Sequence, residues 1–495
     1  TDKRPGFFGE TNFATGAQNV TDIPMTVLLV GLKSSAGSMT VDQDVVDVYS
    51  NEDADTYAGP GSELARMVYA ALLNGRGYRL KIAAPAPNGS GVTATATITL
   101  ATDASSVGVL RYLMCGLTID VTIPSGSTPT QAAVLVVAAI NAQTKLPFTA
   151  GNLAGVITLT CKYASVRGNS LIVYQDINNK PGGMTSAVTG GSAVLSSTSG
   201  QTGCYFTSGA GVEDLTNILA ATVASEYERQ AWACNDTTCL GLLEPQVDAK
   251  ALPGEEKLEH VVTGHIGTSG AATSIGQTTL NNARFQLVWM QNCEVPPSEL
   301  AAAMVGLRAS KEQKYANSAY DGTTLKGIPP HRYTGYIPTS TVQQTCLDNS
   351  VTPMLTKPGG IATIVRSIGT RSLNGSTPDW RCLDTGESAT PDFIRKDFRF
   401  FWDTEFRPAN DNVGPNGANG TEERSGVATP ALWEAKAYAR MLKHQENKLV
   451  TAVAQNRPKA TYNYVAKRLM SEIPVIVQPK NHAIGVKFNQ AQLAA

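Results

Sequence analysis

Apolar positions recur along this chain with two different periods, and the period changes several times. Residues 24–32, PMTVLLVGL, form a continuous apolar run ending at Gly31, the pattern of a buried strand. In YAGPGSELARMVYAALLNG at 57–75, Leu64, Met67, Val68, Ala71 and Leu72 make one apolar stripe. Ser62 can cap its start and Gly75 can stop it, which predicts a helix. YRLKIAA at 78–84 adds a second strand, so a β-α-β unit opens an α/β core. After the linker PAPNGSG at 85–91 the period drops to two. VTATATITL, GLTIDVTI and GVITLTCKY alternate and are rich in β-branched residues, with one helix, TPTQAAVLVVAAINAQ at 128–143, between them. This predicts a small β-rich domain inserted over 87–200.

The α/β pattern resumes at GVEDLTNILAATVASEYERQAWAC, a helix running into a strand, and RFQLVWM at 284–290 is another strand. Pro296-Pro297-Ser298 opens a helix with Leu300, Ala303, Met304 and Leu307 on its buried side. VTPMLTKPGGIATIVRSIGT at 351–370 predicts two strands around a Gly-Gly turn, and the composition of 407–430 predicts a loop. A last long helix follows, with Leu432, Ala435, Ala439, Leu442 and Leu449 as its stripe. Then Ile484, Val486 and Phe488 alternate with Gly485, Lys487 and Asn489, the period of a half-buried strand. No returning strand is expected behind it, so it either folds back into its own sheet or offers its backbone groups to a neighbour's. Pro474 and Pro479 block ladder bonds before it, which suits an arm better than a central strand.

Length changes the picture by requiring several cores: 495 residues predict two to four domains. Forty basic against forty-one acidic side chains leave a net charge of -1, which argues against a dedicated nucleic-acid binder. The charged fraction is only 16%, a lean toward self-assembly. The longest apolar run, AAVLVVAAI at 132–140, is about half the roughly 18 residues a membrane span needs, and it reads as a buried helix. TDKRPGFFGETN lacks a signal core, and the eight scattered cysteines are expected to be reduced, both consistent with a cytoplasm-like compartment.

Candidate chemistry is thin. GPGS at 59–62 lacks the spacing of a phosphate loop and reads as a helix entry, and Asp214 in GAGVED fits helix capping. Cys234 and Cys239 have no second ligand pair; His260 and His265 have no acidic companion in a recognisable pattern. No Ser-His-Asp arrangement is present, so no catalytic residue, cofactor or metal is expected. Lys436, Arg440 and Lys443 stand at i, i+4 and i+7 on the last helix, a candidate basic ridge for an acidic partner.

The order of RPGFF, VLLVGL, GPGSELARMVYAAL, PPSELAAAM, LKGIP and VTPML…GGIATIVRSIGT resembles that of contractile phage tail sheath proteins of the Mu-like type. The segment from GLTIDVTI to Arg167-Gly168-Asn169 is similar to that family's variable outer domain, and the 407–430 loop departs from the family pattern. The resemblance implies an α/β (α+β) multidomain fold, a mixed-sheet sheath core with an inserted β-rich domain and extended arms. Its expected parts are an N-terminal arm 1–23, a sheath domain 24–86 plus 201–350, the outer domain 87–200, an assembly domain 351–472 and a strand arm 473–495. It implies a structural subunit, not an enzyme, that assembles in the host cytoplasm and ends in the virion tail. Its implied partners are itself (hexameric rings in a helical polymer), the tail tube protein, and baseplate and tail terminator proteins, with no direct nucleic acid and no membrane insertion. Contraction would drive the tube through the host envelope for genome delivery. Pro5, Gly6, Phe7, Phe8, Ile484, Val486 and Phe488 would add strands to neighbouring subunits, and Lys436, Arg440 and Lys443 would face the tube. The alternatives are a related bacteriocin or secretion-type injection machine, and another virion shell or adhesin protein.

Overall fold

The computed structural model describes residues 24–195, 201–417 and 426–482. Strand β1 (Thr26–Val30) lies inside an eight-stranded sheet and explains the unbroken apolar run around it. Val27 and Leu29 pack into one helical layer, and Leu28 and Val30 into the other. The chain continues through β2 (Val45–Asp47), α1 (Asn51–Ala58), α2 (Glu63–Asn74) and β3 (Arg79–Ala83). β1 and β3 pair in parallel with Leu29 opposite Ile82, the expected β-α-β unit. Ser62 Oγ accepts from Ala65 N at the start of α2, so GPGS is a helix entry.

Between β3 and the next strand of this sheet, nine strands and a helix form two antiparallel sheets. They are β4 (Thr93–Ala101), β5 (Gly108–Met114), β6 (Leu117–Ile123), α3 (Pro129–Ala142), β7 (Phe148–Leu153), β8 (Val156–Ala164), β9 (Ile172–Asp176), β10 (Thr185–Thr189), β11 (Ala193–Leu195) and β12 (Gln201–Tyr205). The orders are β10-β4-β8-β7 and β11-β12-β9-β5-β6, around a core of their own. β12 falls beyond the expected limit at 200. Sequence reading made α3 a buried helix, and the structure corrects this. Ala132, Ala133, Val136 and Ile140 face inward, while Val134 and Leu135 are 55% and 40% exposed. The strands cover one side of α3, and nothing among the described residues covers the other.

The main sheet resumes with α4 (Thr216–Thr222), β13 (Arg229–Trp232), α5 (Thr237–Lys250), β14 (His260–His265), α6 (Ser269–Thr273) and β15 (Phe285–Trp289). Then follow α7 (Pro297–Glu312), α8 (Ser340–Asp348), β16 (Thr352–Lys357) and β17 (Ile361–Ile364). The strand order is β17-β16-β15-β14-β13-β1-β3-β2, parallel except at its two ends. Because Thr352 pairs with Val288, residues 352–364 belong to this sheet, which corrects the expected boundary at 351. α7 is buried on nearly every side, not on one stripe, since the sheet lies against one side and α2 against another. At Gly306 the two helices approach so closely that a Cβ would stand 2.3 Å from the Ala71 carbonyl oxygen.

Besides two short strand pairs, Leu373–Asn374 with Thr377–Pro378 and Asn412–Val413 with Val427–Ala428, the rest of the described chain forms mainly α9 (Thr385–Phe401), α10 (Arg407–Ala409), α11 (Pro430–Glu446) and a hairpin of Lys459–Asn463 with Arg468–Glu472. They pack around Phe398, Phe401, Phe406, Ala437 and Met441. The expected stripe of α11 is rotated: Ala437, Met441 and His444 face inward, and Ala435 and Ala439 are exposed.

Two buried arginines fasten the β4–β12 sheets to the main one. Arg66 on α2 donates to Glu299 on α7, to the Lys145 carbonyl (2.8 Å) and to the Cys115 carbonyl (3.0 Å). Arg167, after β8, donates to both Glu63 oxygens (3.1 and 2.9 Å) and to Glu213. Glu63 also accepts from Leu32 N at 3.0 Å, which ties the exit of β1 into the same group. Removing one partner of a buried pair strands the other charge. Arg167→Met is therefore expected to cost about 3–5 kcal/mol in denaturant unfolding, and adding Glu63→Gln to recover part of that loss. A loss below about 1 kcal/mol would contradict this account.

Burial also pushes three imidazoles below their ordinary 6.5: His260 to about 3, and His265 and His331 to about 4. His265 and His331 each bury Nε2 without a partner among the described residues. Because the folded value is depressed, each stabilises the fold fully above pH 6.5, and that contribution is lost as pH falls toward 4. Each is expected to remove about 1.4 kcal/mol per pH unit across that window. His265→Asn, compared with the parent chain in urea melts from pH 7 to 4, is expected to have the shallower slope. Parallel slopes would remove His265 from the account.

Candidate assembly surface

The C-terminal elements are positioned by three carboxylates belonging to α9 and its N-cap. Asp384, the N-cap, accepts from Arg366 (2.9 and 3.1 Å) and contacts His482 Nε2 at 2.7 Å. Asp392 accepts from Arg284 (2.7 and 3.1 Å) and lies 2.9 Å from His260 Nε2. Asp397 accepts from Arg440 (2.6 and 2.7 Å) and lies 2.9 Å from His444 Nε2. Burial opposes ionisation at all three, yet the facing cations and hydrogen bonds outweigh it and hold each below the usual carboxylate range. Asp392 thus anchors α9 to β14 and to Arg284 just before β15, Asp397 anchors it to α11, and Asp384 anchors it to the segment after the hairpin.

That arrangement decides the fate of the predicted basic ridge. Arg440 is turned inward onto Asp397, with its guanidinium 4.9 Å from the Phe401 ring centre, so it is not part of an exposed stripe. Lys436 and Lys443 remain exposed, with no ion pair among the described residues. Trp433 packs edge-on against Phe406 at 4.9 Å and donates through Nε1 to Ser471 Oγ at 2.8 Å, which seats the hairpin on α11.

The hairpin itself is the least covered part of the described chain. Its strands pair from Lys459↔Glu472 to Asn463↔Arg468, and among the described residues no third strand joins them. Asn463 Oδ1 accepts from Val465 N and Ala466 N and so closes the turn, leaving Tyr464 72% and Val465 95% exposed. One outer-edge donor, Ala460 N, is taken by Glu434 Oε1 at 2.6 Å. Sequence reading missed this hairpin; its signal was the alternation in KATYN and RLMSE on either side of an asparagine turn.

The chain beyond the hairpin is not free where an arm was expected to begin. Val477 bridges to Val450, Gln478 N donates to Leu449 O, and Asn317 Nδ2 donates to Gln478 O. Lys480 is half-buried, which pushes its pKa down, and His482 lies between Asp384 and Asp321. Residues 473–482 are thus fastened to the rest of the chain, which corrects the expected arm start at 473. Pro5, Gly6, Phe7, Phe8, Ile484, Val486 and Phe488 lie outside the described residues.

Other sequence candidates do not converge. His260 and His265 share β14, but five residues apart they take opposite faces. Cys234 and Cys239 are buried thiols, with Cys239 Sγ against the Glu213 carbonyl. Asp214 accepts from Thr216 N in the turn entering α4. Among the described residues no group of three or more His, Cys, Asp or Glu is placed to hold a metal ion, and no helix is long and apolar enough to cross a membrane.

No family model and no curated protein matches the chain by sequence. Among solved structures, the sheath tail protein Lin1278 of Listeria innocua matches with a TM-score of 0.50 at 11% identity, over 92% of this chain and 93% of that one. The sheath tail protein of Desulfitobacterium hafniense gives 0.48 at 12% identity, over 92% and 93%. The helical sheath of the anti-feeding prophage in its contracted state gives 0.43 at 9% identity, over 99% and 100%. The likeness to the Listeria protein shows a shared fold over nearly the whole of both chains.

Proposed function

We propose that this chain is the sheath subunit of a contractile tail or phage-like injection machine, a structural protein that works by polymerising and contracting. The observation that carries the reading is the hairpin of Lys459–Asn463 and Arg468–Glu472. Among the described residues it has only two strands, which alone are marginal in water, and the edge groups without a described partner offer backbone bonds to another chain. Strands from neighbouring copies complete it: Pro5, Gly6, Phe7 and Phe8 from one, and Ile484, Val486 and Phe488 from another. Main-chain pairing of this kind asks little of side chains, and many modest links hold a lattice together.

Since 473–482 is held at home, the C-terminal arm runs over 483–495 and reaches on the order of 40 Å at about 3.3 Å per residue. The copies stack as hexameric rings around a tube, from a baseplate to a terminator, and contraction draws on their own rearrangement. The two antiparallel sheets form the outer domain. Lys436 and Lys443, without Arg440, face an acidic tube surface. The fold shared with the Listeria sheath tail protein supports this reading.

Purified protein is expected to form long helical tubes in negative-stain micrographs; a persistent monomer that turns over a small substrate would sink the proposal. Deleting 483–495 is expected to abolish the tubes while leaving the thermal melt unchanged, and normal tubes would remove the arm from the account. The double change Lys436→Glu with Lys443→Glu is expected to leave empty sheaths intact and to lose co-purification of the tube protein. Unchanged tube binding would place the tube contact elsewhere.

A further inference from the structure

A cleft of about 400 Å³ opens beneath α9, where β1 enters the main sheet. Leu258, Ala316, Ala389, Phe393 and Phe400 give it an apolar lining, and Met25 stands in its wall. Two groups of the same cleft hold the backbone there: Met25 N donates to Gln313 Oε1, and Thr26 N to Glu228 Oε2 at 2.7 Å. Residues 1–23 therefore join the described chain at this cleft. Its rim is acidic on one side, where Glu226 and Glu228 share the single ammonium of Lys396 at 2.7 and 3.0 Å.

Residues 1–23 carry complementary chemistry: Phe7 and Phe8 follow Lys3 and Arg4 after only a proline and a glycine. An apolar cleft of this size suits one or two aromatic side chains with a few oriented polar contacts. We propose that in the unassembled subunit this cleft holds residues 1–23 of its own chain. Phe7 and Phe8 lie against Phe393 and Phe400, and Lys3 and Arg4 lie at the Glu226–Glu228 rim. The tether sets an effective concentration in the millimolar range, so a second dilute copy competes poorly for the cleft. The consequence rests on the arm reading given above: while docked at home, the N-terminal arm is withheld from neighbours.

The test uses the full chain, dilute and unassembled, with a benzophenone amino acid replacing Phe393 or, separately, the exposed rim residue Arg399. Equal parts of natural-abundance and ¹⁵N-labelled chains are mixed, irradiated and mapped by mass spectrometry. Adducts are expected within residues 1–23 and with a single isotope label. Phe7→Ser with Phe8→Ser is expected to lower their yield by about tenfold or more. Mixed-label adducts would assign the cleft to a second copy; adducts elsewhere, or none from either position, would overturn the proposal outright. Because no polymer enters the measurement, its result is independent of whether tubes form.

Discussion

The Asp397 carboxylate, bound by Arg440 and His444, is one of three such anchors on which the C-terminal third of the molecule depends. Asp384 and Asp392 repeat the scheme, each taking one arginine and one histidine. A carboxylate accepts several hydrogen bonds in defined directions, so each anchor sets orientation as well as proximity. Apolar contact alone would let α11 roll on the Phe398–Phe401–Phe406 cluster; Arg440 and His444 choose the rotation. Buried pairs add little net stability over good apolar packing, but breaking one strands a charge, so the geometry is strongly specified.

The larger part of the chain is held differently. There the main sheet is buried on both faces, α7 is enclosed, and Gly306 lets α2 approach at backbone distance. Packing of this kind is rigid and changes shape reluctantly. Buried charge is paired wherever it occurs: inside the main block Arg229 and Arg308 meet Glu312 and Lys250 meets Glu259, and at the joints Arg66 and Arg167 tie the β4–β12 sheets to the entry and exit of β1 and α2. The molecule is thus a set of stiff apolar blocks joined by ionic links of fixed geometry.

Exposed apolar side chains are scattered over the molecule, and two pairs of them are adjacent in the chain. Val134 and Leu135 on α3, and Tyr464 and Val465 at the hairpin turn, lie on the elements least enclosed by their own subunit. Exposure of this kind is tolerable singly and costly in a patch.

Local pattern alone determined the β-α-β start, the alternating strands after residue 92, the capped entry of α2 and the Gly-Gly hairpin of β16 and β17. Each is set by side-chain period or turn chemistry within a few residues. It did not determine that β16 joins the main sheet, that α7 is buried on nearly every side, or that α3 has an open face, because those depend on which layers arrive from distant parts of the chain. The basic ridge shows the difference most clearly. Spacing placed Lys436, Arg440 and Lys443 along one helix face, but an acid 43 residues away, Asp397, captured Arg440 and left the lysines outside. Sequence period places a residue on an element; the partner that takes its charge is chosen only when the chain folds.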